Sequence, residues 1–77
     1  DIIVEKDEMR IVIEIETGKS DYMKNIERNI QAGFNEIICV ATNPAIEEKL
    51  KNEILKLPNS SLKKIKITSA RSFNLSK

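Results

Sequence analysis

Ten residues, Arg10 to Lys19 reading RIVIEIETGK, restrict what this chain can fold into more than any other stretch. Side chains of an extended segment alternate between two faces, so Ile11, Ile13 and Ile15 fall on one side and Val12, Glu14 and Glu16 on the other. The β-branched content favours a strand, and Thr17 and Gly18 break it. Two carboxylates therefore share one face at the strand's end, about 6.6 Å apart along the backbone at roughly 3.3 Å per residue. Two explanations fit that placement. One is the solvated face of an edge or half-buried strand, where alternate glutamates are ordinary; the other is a site that uses paired acids.

Seventy-seven residues make one small domain. A chain of that length buries only about 60 to 65 % of its unfolded surface, so its core has to be compact. It opens on Asp1 rather than Met and runs straight into IIVE, from which a piece of a longer protein is expected. The single cysteine, Cys39, sits in an apolar run and reads as core filler; with no histidine and no second thiol, an internal disulfide and a zinc site are both set aside. That usage suits a reducing cytoplasm. No apolar stretch reaches the 18 to 20 or so residues that span a bilayer, and no basic-then-apolar start reads as a signal peptide, so no membrane partner is expected.

The net charge of +1 is unevenly spread. Residues 62–77 carry Lys63, Lys64, Lys66, Arg71 and Lys77 with no acid, whereas the remaining 8 bases face all 12 acids. A solvated C-terminus and a phosphate-binding stripe both explain that tail.

Taken in order, Ile2 to Val4 is a short strand, Asp7-Glu8 is the tip of a β-hairpin, and the Arg10 strand returns. After Gly18 the period lengthens: Tyr22, Ile26 and Ile30 recur every fourth residue with Met23 beside them. A helix is predicted from about Ser20, its N-cap, to Ala32, with Asp21 in the first turn, Asn25, Arg28 and Asn29 on the polar face and Gly33 as the stop. EIICVA, Glu36 to Ala41, has the unbroken apolar pattern of a strand covered on both faces. Thr42-Asn43-Pro44 opens a second helix with Ile46, Leu50 and Ile54 spaced by four, reaching about Leu57. Pro58 to Ser61 ends it, and Leu62 to Thr68 reads as a last, lysine-bearing edge strand. The order β-β-α-β-α-β predicts an α/β domain with a mixed sheet of about four strands.

Folding the hairpin brings Asp1 towards Glu14 and Glu16. Three carboxylates at one sheet end suit a hard divalent cation, since Mg²⁺ takes oxygen ligands and keeps waters that act as nucleophile or proton carrier. Asp1-Ile2-Ile3-Val4, a hairpin turn, then Ile13-Glu14-Ile15-Glu16 resembles the PD-(D/E)xK nuclease superfamily, in which an aspartate opens one strand and an acid-x-lysine motif lies on the next. The later helix-strand-helix-strand order agrees, so the resemblance covers nearly the whole chain. The segment EIETGKSD is most similar to small nuclease-like domains akin to Holliday-junction resolvases, and to domains attached to DNA-transfer ATPases.

The resemblance implies a restriction-endonuclease-like fold whose first family helix is missing, lying before Asp1. It implies that Asp1 and Glu14 bind Mg²⁺ or Mn²⁺ with the Ile15 carbonyl, and that Asp1, Glu14 and Glu16 carry catalysis. Glu16 stands where the family has its catalytic lysine, a substitution some members share. Asn25 or Asn29 would fill the place of a helix residue that assists the site, and Lys19, Lys24, Asn25, Lys64 and Lys66 would contact DNA. The expected activity is divalent-metal-dependent hydrolysis of phosphodiester bonds in DNA. A homodimer or an attached ATPase or helicase domain fits the same resemblance. Two rivals stand beside it: an inactive nuclease-like module that binds DNA or protein, and an unrelated α/β domain whose acids are surface charge.

Overall fold

The computed structural model describes residues 2–19 and 21–71. Strands β1 (Ile2–Lys6) and β2 (Met9–Glu16) form the expected hairpin, antiparallel with Ile2 opposite Ile13 and Lys6 opposite Met9. Its two turn residues, Asp7 and Glu8, both take left-handed backbone, with φ of 51° and 69°. That is the twist a two-residue hairpin requires, obtained here without glycine.

Helix α1 (Tyr22–Gln31) returns the chain to β3 (Glu36–Ala41), and α2 (Pro44–Ile54) with the short α3 (Asn59–Leu62) leads to β4 (Ile65–Ser69). The sheet order is β1-β2-β3-β4, with β3 parallel to both β2 and β4. This is an α/β fold with a four-stranded mixed sheet and three helices among the described residues. None of these helices is long and apolar enough to cross a membrane.

Three boundaries differ from the sequence reading. The N-cap of α1 is Asp21, whose side chain accepts from the Lys24 amide at 3.1 Å, while Ser20 lies outside the described residues. A carboxylate both accepts the bond and answers the helix dipole, which favours it in this position. The stretch after Pro58, read as the end of the second helix and the start of the last strand, winds into α3. Leu62 consequently belongs to that turn, and β4 starts at Ile65. Asn43 caps α2 as expected, accepting from the Ile46 amide at 3.0 Å.

Both parallel crossovers step the same way across the sheet, and right-handed crossovers then put α1 and α2 on one face. The core follows: Val12, Ile37, Cys39, Ala41 and Ile65 from alternate strand positions pack with Ile26 of α1, Phe34 and Leu50 of α2. The opposite face carries Ile13 and Val40, which are buried, and Ile2, Val4 and Ile15, which are exposed. Arg10 fastens the other end of the sheet. Its guanidinium lies 4.5 Å from the Phe34 ring centroid and donates to the Ala32 carbonyl, while its amide donates to Asn35 Oδ1 at 2.7 Å.

A non-glycine residue in left-handed backbone costs about 1–2 kcal/mol. Replacing Glu8 with glycine should therefore raise unfolding stability by about 1 kcal/mol in urea melts, with no change in m-value.

Candidate functional site

In β2 the covered face is the one that carries the acids. Val12, Glu14 and Glu16 lie under the helices, and Glu14 and Glu16 are 4 % and 1 % exposed, whereas Ile15 between them is 49 % exposed. This removes the solvated-strand explanation. An ionised carboxylate loses several kcal/mol of hydration on burial unless polar partners replace the water, so acids at these positions need polar partners.

Glu14 meets that need through α1. Asn29, only 6 % exposed, donates from Nδ2 to Glu14 Oε2 at 2.8 Å. The sequence placed Asn29 on the solvent side of α1 with Asn25 and Arg28; only those two belong there, joined by a 3.0 Å bond from the Arg28 guanidinium to Asn25 Oδ1. Asn29 comes three residues after Ile26, which faces the core and is fully buried. That i,i+3 spacing from a core residue was the available signal.

Glu16 ends β2 beside Ala41, and Ala41 in turn pairs with Ser69. Its carbonyl accepts from both the amide and the hydroxyl of Thr42, each at 3.1 Å, which ties the carboxyl ends of β2 and β3 together. Gly18 then turns the chain towards α1 with φ of +88°. A Cβ there would stand 2.9 Å from Ile46 Cδ1 in a conformation L residues resist, so only glycine suits this exit from β2.

Cys39 completes the neighbourhood, opposite Glu14 in the ladder and fully buried. Its thiol is pushed up to about 12, first by burial and then by the nearby charges of Glu16 and Glu14. The group stays a protonated thiol near neutral pH, which disfavours both reactivity and service as a soft metal ligand.

The remaining expected site residues divide by sheet end. Lys19 and Lys24 are exposed at the Glu16 end, where β2 hands over to α1. Lys64 and Lys66 lie at the entrance to β4, the opposite end, and Lys66 Nζ is already engaged by Glu36 at 2.9 Å. Asp1 lies outside the described residues. Among the described residues no three Asp, Glu, Cys or His side chains converge as an ion-binding group. Comparison with known proteins finds no family model, curated protein or solved structure that matches the chain.

Two outcomes test this geometry. Asn29→Leu should cost about 1–3 kcal/mol in chemical denaturation, because it strands a buried acceptor, whereas Asn29→Leu combined with Glu14→Leu should recover most of that loss. The Cys39 thiol titrates later in the folded chain than its ordinary value of 9.0, so the stability it confers is complete below about pH 9. It declines as pH rises from there towards 12, by at most about 1.4 kcal/mol per pH unit. Cys39→Ala should flatten that part of the pH–stability profile.

Proposed function

We propose that this chain is the core of a divalent-metal-dependent nuclease domain of restriction-endonuclease-like fold, hydrolysing phosphodiester bonds in DNA. One observation carries the reading: Glu14 and Glu16 are both buried on the helix-covered face at the carboxyl end of β2. Apolar residues in their place would pack at less cost, so paired acids there make sense as a working group. In open α/β sheets ligands sit outside the carboxyl ends of the strands, where Glu16 stands.

The donor set fits a hard cation. Glu14 and Glu16 offer carboxylate oxygens, the backbone carbonyl of Ile15 is the third donor this reading assigns, and the neighbouring thiol is held protonated. A Mg²⁺ or Mn²⁺ ion bound there supplies charge neutralisation for a phosphodiester and an acidified water. The reading also needs Asp1 on the same face as Glu14. Within this scheme Asn29 holds one oxygen of Glu14 and leaves the other for the ion. Glu16, in the place of the family's lysine, accepts a proton from the attacking water instead of steering it with a positive charge.

A second reading, an inactive nuclease-like module that binds DNA or protein, is favoured by Glu16 itself. At 1 % exposure it has little access to solvent, and it adds negative charge where a phosphate has to approach.

Mn²⁺ or Mg²⁺ should raise the melting temperature, reaching about 2.7 kcal/mol of added stability when the ion is a hundredfold above its Kd. Cleavage of duplex, branched or single-stranded DNA should require the ion. Asp1→Ala or Glu14→Ala should abolish cutting while leaving binding in EDTA unchanged or stronger, and Glu16→Lys should retain cutting or change metal preference. DNA binding without cleavage under every metal condition selects the module. An unchanged melting temperature in millimolar Mn²⁺ removes the metal site.

A further inference from the structure

We propose that the cavity at the carboxyl ends of β3 and β4 is a subsite for a backbone phosphate of the bound nucleic-acid strand, with Arg71 as its cation. The proposal rests on the nuclease-like reading above and says where a strand lying over the acids would be held.

The cavity encloses about 270 Å³ and is lined by Thr42, Asn43, Glu47, Ser69 and Arg71, among others. Its position follows from the ladder. Glu16 pairs with Ala41 and Ala41 with Ser69, both of which line the cavity, so it lies at the same sheet end as the acids, one to two strand spacings or about 5–10 Å away. One of its walls is joined to the acid's own backbone, because the Thr42 hydroxyl donates to the Glu16 carbonyl. A separation of that size is on the order of one to two internucleotide steps of a strand. A strand with one phosphate at Glu14 and Glu16 therefore brings another to the cavity.

The charges agree. Of the basic residues in the C-terminal quarter that the structure describes, Lys63, Lys64 and Lys66 lie before or at the start of β4, and Arg71 alone follows it. Arg71 enters none of the ion pairs among the described residues, whereas Lys66 is engaged by Glu36. The cavity's own acid, Glu47, is partly neutralised by Lys51 at 3.2 Å. Asn43 uses Oδ1 to cap the Ile46 amide, which leaves its side-chain N–H groups as donors in the cavity that Arg71 also lines. A planar fork with an amide in the same cavity matches a phosphate's oxygens better than a lone ammonium does.

Fluorescence anisotropy of the full chain with labelled single-stranded and duplex DNA, in EDTA across a salt series, tests the assignment. Arg71→Ala should weaken binding about 3- to 10-fold and reduce the slope of log K against log salt by about 1. Arg71→Lys should keep the slope and recover only part of the affinity, and Lys56→Ala, past the far end of α2 and paired with Glu53, should change neither. Arg71 is exposed, and an unchanged thermal melt verifies that the variants fold. If the wild type binds and Arg71→Ala retains its affinity and slope, the subsite is overturned while the nuclease-like reading survives. A wild type that binds no DNA overturns both. Arg71-dependent binding of inorganic phosphate alone, with no DNA binding, also overturns the subsite, since the cavity would then hold only a free anion.

Discussion

Two carboxylates under a helix layer set the terms for the rest of this domain. Glu14 and Glu16 take interior positions on β2 that a chain of this size would ordinarily give to aliphatic side chains. Their burial draws in a polar residue from α1, since Asn29 reaches Glu14 from a helix face that is otherwise Tyr22, Met23, Ile26 and Ile30. It also fixes the state of Cys39, whose thiol cannot readily ionise between two acids in a dry environment. Ile37 and Ile65 enter the core from the amino ends of β3 and β4, whereas the two acids stand at the carboxyl end of β2.

That division of the sheet is a sound way to place a site. Packing at one end keeps the strands in register, so side chains at the other end are positioned by the ladder and not by their own loops. Arg10 serves the packed end, with its ring contact to Phe34 and its bonds to Ala32 and Asn35. Thr42 serves the polar end by joining β3 to the last carbonyl of β2. The turns suit each role: Gly18 takes a conformation other residues resist, immediately after the acids.

Element order was legible because periodicity and capping residues speak locally. Alternation in RIVIEIE marked β2, Asn43-Pro44 marked the start of α2, and Asp7-Glu8 marked the hairpin tip. Which face of β2 is inward was not legible. Ile11, Ile13 and Ile15 look like the core stripe, yet the inward face is set by the handedness of two crossovers, a global property that no window of residues contains. The same reason explains Asn29. A polar residue on an amphipathic helix reads as solvent-facing until the strand beneath is known to carry a buried acid. Lys64 and Lys66 read as holding phosphates that flank the acids, whereas strand direction puts them at the opposite sheet end, because parallel strands bring the end of β4, not its entrance, to the end where Glu16 stands.

The hairpin joins residues across a two-residue turn, whereas β2 meets β3 only through partners 25 residues apart, as Ile11 and Glu36 are. Closing a longer loop costs more entropy, so local pairing comes cheaply and the parallel ladder waits for α1 to form and dock. A hairpin without its helix layer leaves Glu14 and Glu16 hydrated. Dehydration of the acids is thereby deferred to the closing stage of folding, when the core around Ile26 and Ile37 is already forming and can absorb it. A chain that had to dry two carboxylates before it possessed a core would meet its steepest climb at the outset; this topology puts the climb last.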